Sequence, residues 1–206
     1  TSEAYNTAVG HNAGRQVTSG TFNTITGGLA ADALTTGERN TVYGKSALTS
    51  DTLGSRAVAI GLSALATQNF TTATDNYNVA VGYSAGGLIT TGTQNTIVGG
   101  VAGDALTTGT DNIAIGFTAL SSDTKGNKTT AIGRTALLSQ NFTTSTDTYN
   151  VAVGYDAGRN VTTGIQNTVI GSLAGDALTD ADFNVALGAF ALTADTLGSQ
   201  STAIGF

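Results

Sequence analysis

The stretch NTAVGHNAGRQVTSGTF, residues 6–22, is the first of twelve copies of one pattern that fill the chain. Each copy has a glycine at its fifth position, and these glycines recur at intervals of 17, 17, 17 and 21 residues. A fixed short period is typical of a solenoid, in which each turn contacts only its neighbours. The sequence therefore predicts an all-β protein, a parallel β-roll or β-solenoid of about twelve 17-residue turns in which every fourth turn has 21. The glycines are Gly10, Gly27, Gly44, Gly61, Gly82, Gly99, Gly116, Gly133, Gly154, Gly171, Gly188 and Gly205.

Four turns together make a longer unit of 72 residues. These super-repeats cover residues 6–77, 78–149 and 150–206, and the last of them is incomplete. We expect a single repeat domain over residues 1–206, taken from a longer array. Because an uncapped solenoid exposes strand edges, we also expect other fibre or appendage domains to pack against both ends.

The first five positions of each turn have the composition of a strand that is buried on both sides. Position 3 is Ala, Val or Ile in every turn, position 2 is Thr, Val or Ile, and position 4 is Val, Ile or Leu except at Thr26 and Tyr43. Alternate strand residues point to opposite faces, so both faces are largely apolar. One face can line the interior, but a 17-residue turn has no room for a helix to cover the other. We therefore expect other copies of the chain to cover it, and threefold symmetry suits a fibre.

Four columns of equivalent positions have predicted structural roles. The glycine at position 5 indicates a positive φ or close backbone packing, and the alanine at position 8 indicates an inward site with room for one methyl group. Asn at position 1 and Thr at position 13 are predicted to form ladders along the axis, with a second, shorter strand around positions 12 and 13. The first members of the alanine and asparagine columns are Ala13, Ala30, Ala47, Asn6, Asn23 and Asn40.

Composition excludes several classes of function. The net charge is −6 and the eight basic residues are scattered singly, which argues against nucleic-acid binding. No apolar run approaches the ~20 residues that a membrane span needs. The chain has no cysteine for disulfides or thiolate metal sites. No cofactor is predicted.

The titratable residues do not form a recognisable catalytic group. The one histidine, His11, follows an anchor glycine and is interpreted as an exposed turn residue. Members of one carboxylate column stand four turns apart, about 19 Å, too far for an acid–base pair. No loop is long enough to form a cleft, so we expect solvated turn aspartates and no enzyme. The two columns are Asp32, Asp104 and Asp176 at position 10, and Asp51, Asp123 and Asp195 at position 12.

Aromatic residues cluster where each 21-residue turn meets the next one. The long turns at 66–77 and 138–149 each add four residues at one corner, and insertions in solenoids often form the binding face. The rings either pack the extra loop against the rod or stack on the sugars of a host glycan. These candidate residues are Phe70, Tyr77, Tyr83, Phe142, Tyr149 and Tyr155.

The run N-T-A-V-G-x-x-A-G, followed by T-T-G and another N-T, resembles the NTAIG-type 17-residue arrays of bacteriophage tail-fibre proteins. It is also similar to the head repeats of trimeric autotransporter adhesins, although those are usually shorter than 17 residues. The resemblance covers residues 6–206. It implies a left-handed, homotrimeric β-roll that serves attachment, on a virion tail fibre or on a cell surface. A third possibility is an ice-binding solenoid, because such proteins use regular threonine arrays.

Overall fold

The computed structural model describes residues 4–206, so residues 1–3 of the predicted domain lie outside the described part. That part contains sixteen short strands and no helix. Twelve strands of three residues form one sheet, and four strands of two residues form two small sheets. In chain order they are β1 Thr7–Val9, β2 Thr24–Thr26, β3 Thr41–Tyr43, β4 Gly54–Ser55, β5 Val58–Ile60, β6 Thr74–Asp75, β7 Val79–Val81, β8 Thr96–Val98, β9 Ile113–Ile115, β10 Gly126–Asn127, β11 Thr130–Ile132, β12 Thr146–Asp147, β13 Val151–Val153, β14 Thr168–Ile170, β15 Val185–Leu187 and β16 Thr202–Ile204.

The large sheet stacks one strand per turn, in chain order, with every pair parallel. Equivalent positions of consecutive turns lie opposite each other, as in the pairs Thr7 with Thr24 and Ala8 with Ile25. The same one-turn register holds across the 21-residue turns, where Val58 pairs with Val79. The predicted all-β solenoid of about twelve turns is therefore confirmed.

The core is a thin column that runs the length of the rod. Positions 3, 8 and 12 build most of it, represented in one turn by Ile97, Ala102 and Leu106, all of which are fully buried. In four turns where position 12 is Asp or Gln, position 9 adds a buried leucine: Leu48, Leu65, Leu120 and Leu137. Alanine at position 8 is buried in every turn after the first, where Ala13 is partly buried. The prediction of an inward alanine column is confirmed.

The position 5 glycines are required for both of the expected reasons. Their φ angles lie between +123° and +143°, a region that L side chains rarely adopt. The backbones of successive turns also touch at this point. A Cβ added to Gly99 would lie 2.4 Å from the carbonyl oxygen of Gly116 in the next turn.

The asparagine column forms a hydrogen-bonded ladder inside the rod. The backbone N–H of Asn95 donates to Oδ1 of Asn78 in the preceding turn at 2.9 Å. Its Nδ2 donates to the carbonyl of Gly109 at 2.9 Å, which ties the two ends of its own turn together. The predicted threonine ladder also forms, with hydroxyls bonded to main-chain carbonyls of the next turn, as from Thr90 Oγ1 to Thr107 O at 3.1 Å.

The prediction of a short second strand around positions 12 and 13 is wrong. No strand is assigned there in any turn of residues 4–206. The reason is that the chain curls instead of extending: the N–H groups of Thr90 and Gly92 both donate to the one carbonyl of Thr107. Short strands occur instead next to the long turns, where β4 pairs with β6 and β10 pairs with β12.

Replacing Gly99 by Ala should destabilise the rod far more than the same change at its neighbour Gly100. At Gly99 the added methyl group meets a backbone carbonyl and the positive φ is strained, a penalty of about 1–3 kcal/mol before the clash is counted. At Gly100 the nearest atom is a side-chain carbon of Phe117 at 3.5 Å, an ordinary contact. Denaturant unfolding of both variants measures the difference, and equal midpoints would contradict the stacking geometry.

Candidate interaction surface

The residues at positions 2 and 4 of the twelve strands form what we call the outer face. Every second strand residue points inward, so Ala114 is fully buried while its neighbour Ile113 is 37% exposed. Position 4 carries Val, Ile or Leu in ten of twelve turns, and position 2 is Val or Ile in five and Thr in seven. A single chain therefore leaves a long apolar strip partly open to solvent, the kind of surface that marks interaction sites.

Two columns of larger side chains border the outer face. The entry column is the residue just before position 1 of each turn: Tyr5, Phe22, Arg39, Arg56, Tyr77, Gln94, Asp111, Lys128, Tyr149, Gln166, Phe183 and Gln200. The exit column is position 6: His11, Gly28, Lys45, Leu62, Tyr83, Gly100, Phe117, Arg134, Tyr155, Ser172, Ala189 and Phe206. Exposed aromatic residues are concentrated in these two columns, with Tyr83 60% and Phe117 55% exposed.

Several cations of the borders lie against aromatic rings of the neighbouring turn. Tyr5 and Phe22 stack at 5.4 Å between centroids, and Arg39 lies over Phe22. Arg56 lies 5.6 Å from the centroid of Tyr77 and Nζ of Lys128 lies 5.2 Å from that of Tyr149. Such contacts hold exposed rings in fixed positions on the surface.

Each long turn places a carboxylate beside the cation of the preceding turn. Lys128 Nζ lies 2.6 Å from Asp147 Oδ2, and Arg56 Nε lies 2.9 Å from Asp75 Oδ2. The bond from Lys128 lowers the pKa of Asp147 and raises that of Lys128. The two long turns therefore repeat one arrangement of cation, carboxylate and tyrosine.

The six aromatic residues singled out from the sequence fall into two groups. Phe70 and Phe142 are 6% and 7% exposed and pack beneath the long turns, which leaves little of either ring for a ligand. Tyr77 and Tyr149 stand in the entry column, and Tyr83 and Tyr155 in the exit column, all about half exposed. The structure does not bring the six together in one cluster. Sugar contact by the four tyrosines stays a prediction.

The expectation of solvated aspartates is wrong for two members of position 12. Asp51 and Asp123 are fully buried. Asp51 Oδ2 accepts from Gln68 Nε2 at 2.6 Å, and its Oδ1 accepts from the N–H groups of Gly54 and Phe70. Gln140 and Asp123 repeat this arrangement in the second super-repeat. We call each of the two pairs, Asp51 with Gln68 and Asp123 with Gln140, a polar collar, since it interrupts the apolar core next to a long turn.

The collar also repairs the asparagine ladder where it is broken. The fourth turn has Ala57 at position 1, so no side-chain oxygen is available for the next turn. Asn76 in the long turn supplies it instead, and accepts from the N–H of Asn78 at 2.9 Å. Gln68 Oε1 accepts from Asn78 Nδ2 at 2.8 Å.

A usable sequence signal for the collar lies in the column itself. Position 12 reads Val, Leu, Asp, Gln in the first four turns and Ile, Leu, Asp, Gln in the next four. A column that is apolar in half of its turns is an inward column, and this outweighs the usual preference of Asp for exposed turns.

The other titratable candidates lie on or near the surface. His11 is exposed, as expected, and Asp32 accepts from the hydroxyl of Thr49 at 2.6 Å. Asp104 is half-buried, its Oδ1 has no hydrogen-bond partner, and burial raises its pKa. It lines a shallow depression of about 320 Å³ with Ser63 and Leu88.

Within residues 4–206 no group of three His, Cys, Asp or Glu side chains is placed to hold a metal ion. The same residues include no helix with the length and apolarity to cross a membrane. Comparison of the chain with protein-family models, with curated proteins and with solved structures finds no match.

Substituting Asp51 by Asn should change how stability depends on pH. Burial is the largest influence on Asp51 and raises its pKa above 3.8, outweighing its hydrogen bonds. The folded state therefore binds the proton more tightly than the unfolded state, so this group's contribution to stability is greatest below pH 3.8 and falls as pH rises through the folded pKa. The free energy of unfolding of the native protein minus that of Asp51→Asn should decrease with pH.

Asp147→Asn provides the control with the opposite sign. The pKa of Asp147 is lowered, so its contribution is present above 3.8 and is lost as pH falls. The free energy of unfolding of the native protein minus that of Asp147→Asn should increase with pH. A flat or rising difference for Asp51→Asn would contradict a buried, proton-binding carboxyl group.

Proposed function

We propose that this chain is a shaft or head segment of a homotrimeric attachment fibre, such as a phage tail fibre, that mediates adhesion to a host or surface. The observation that supports it is the uncovered outer face, a strip of Val, Ile, Leu and Thr that follows every turn. A soluble chain gains free energy by burying such a strip. The partner that matches its repeat at every turn is another copy of the same chain.

The size of the outer face suits a stable interface. Twelve turns give a length of roughly 58 Å, and positions 2 to 6 of each turn give a width of roughly 13 Å, so the outer face together with its exit column covers roughly 750 Å². Each partner in a standard interface buries about 800 Å².

The shape of the surface favours three copies around one axis. The entry and exit columns are six residues apart along the chain, so the distance between them is at most about 20 Å, the length of a fully extended strand. Three such faces joined edge to edge enclose a triangular space whose walls lie at most about 6 Å from the axis. Side chains of Val, Ile and Thr from all three copies are of the size that fills this space.

The mechanism of such a segment is mechanical. Parallel backbone ladders join every turn to the next, and each ladder bond must be broken before two turns separate. The rod would hold a receptor-binding part at a fixed distance, with further fibre domains at each end. The left-handed coil, the place on a virion tail fibre or cell surface, and a host glycan or protein as partner follow from the resemblance to such fibres.

The alternative is the head of a bacterial trimeric autotransporter adhesin, which would itself bind a ligand. The exposed tyrosines of the borders favour this alternative if they bind sugars. The less supported ice-binding solenoid would be a monomer that produces thermal hysteresis. The position 13 hydroxyls argue against it, because they are engaged by backbone carbonyls along the rod.

Native mass spectrometry at low protein concentration tests the proposal. We expect a species of about 61.5 kDa, three times the chain mass of 20.5 kDa. Because the outer face is apolar, a matched variant with Val81→Asp and Val98→Asp should shift the population to single chains. The control is Leu88→Asp, an exposed apolar residue outside the outer face, which should leave the trimer intact. A native protein that stays at 20.5 kDa would overturn the proposal.

A further inference from the structure

We propose that the entry column of each copy packs against the exit column of the next, and that Tyr77 meets Tyr83, and Tyr149 meets Tyr155, across each subunit boundary. This inference rests on the proposed homotrimer and adds the contacts that close it. It assigns the exposed tyrosines to the interface between copies of this chain.

The two columns lie on the same side of the rod as the outer face. Positions 2, 4 and 6 share one hydrogen-bonding pattern: the carbonyls of Val9 and His11 accept from Gly27 and Leu29 of the next turn, continuing the ladder that pairs Thr7 with Thr24. The exit column is therefore an extension of the outer face. The entry column precedes the buried Asn at position 1 and is exposed in eleven of its twelve turns.

Symmetry decides which residues meet. A closed ring of identical copies is related by rotation alone, with no shift along the axis, so equivalent turns lie at the same height. The entry residue of one turn then faces the exit residue of the same turn in the next copy. Tyr77 and Tyr83 border strand β7, and Tyr149 and Tyr155 border strand β13. Each pair is separated by six residues, so its members lie far apart within one chain and next to each other between two.

The sizes of opposing residues agree with this pairing. Phe22 faces Gly28, and Phe183 faces Ala189, so a large ring meets a small residue. Where two rings meet, as for Tyr77 with Tyr83, the pair can adopt an offset or edge contact.

Two heights bring like charges together, and at each of them one of the two charges has a carboxylate partner in its own chain. Arg39 faces Lys45, but Arg39 is bonded to Glu38 and lies over Phe22. Lys128 faces Arg134, but Lys128 is bonded to Asp147.

Tyr83 has no ring or cation partner in its own chain among residues 4–206, whereas Tyr77, Tyr149 and Tyr155 each have a cation on one face. An exposed ring without such a partner is typical of an interface residue whose contact comes from another molecule.

Disulfide trapping tests the pairing, since the chain has no cysteine of its own. In the double variant Tyr77→Cys with Tyr83→Cys, mild oxidation should convert most of the protein to a covalent trimer on a non-reducing gel. A bond within one chain is excluded by the distance, because disulfides need Cα atoms within about 7 Å. The second pair, Tyr149→Cys with Tyr155→Cys, should behave in the same way.

The matched control is Tyr77→Cys with Lys45→Cys, whose exit residue lies two turns away, about 9.6 Å along the axis. It should give little covalent trimer. Native mass spectrometry of every variant separates the two levels of failure. A trimer by mass that forms no disulfide through either tyrosine pair, or that prefers the Lys45 control, would overturn this pairing and leave the fibre proposal standing. A monomer by mass would overturn the fibre proposal itself, and a covalent dimer without trimer would contradict threefold closure.

Discussion

The in-register stacking of parallel strands is the constraint on which the rest of the structure depends. Because each turn lies directly on the one before, the same position meets itself at every level, and one unsuitable side chain acts on two neighbours. At position 5 the backbones approach so closely that a Cβ would fall 2.2–2.7 Å from the next glycine in each turn but the last. The uniform glycine and alanine columns follow from this geometry.

Stacking also explains how polar groups are tolerated inside so thin a core. Each buried Asn gives its amide to the carbonyl at the end of its own turn and its oxygen to the next turn. Ala57 at position 1 interrupts that ladder, and Asn76 in the long turn restores it by accepting from the N–H of Asn78. Gln68 of the polar collar accepts from Nδ2 of the same Asn78. The fully buried Asn, Gln and Asp side chains of the core are thus hydrogen-bonded, which a rod without a thick apolar core requires.

The sequence was sufficient to predict most of the fold because a repeat shows every position up to twelve times. Strand, glycine, alanine and asparagine columns could each be read from their uniformity. The burial of Asp51 is not predicted if only the residue type is considered, because Asp usually lies on the surface. The column predicts it, since Val17 and Leu34 occupy the same position of their turns. The second strand failed for another reason: the N–H groups of Thr90 and Gly92 share the carbonyl of Thr107, so the chain turns where a strand would continue.

The candidate surface was predictable in part. The alternation of residues along each strand predicts two apolar faces. The structure is needed to show that position 3 is buried in the core and that positions 2 and 4 are partly exposed. The border columns were missed as a unit, because the positive φ of the entry residues and the glycine bend before the exit residues hide their relation in the sequence. The sequence indicates the four tyrosines because they lie near the long turns. Their positions in the structure follow from strands β7 and β13, which they border.

Solvent exposure of methyl groups on the outer face tests the central claim most directly. Methyl NMR relaxation by a soluble gadolinium chelate would compare Ile113 on the outer face with Ile97 in the core and Leu88, which is 52% exposed elsewhere. If other copies cover the outer face, Ile113 methyls will be protected almost as well as those of Ile97. Relaxation of Ile113 as fast as that of Leu88 would show an open face and contradict the account.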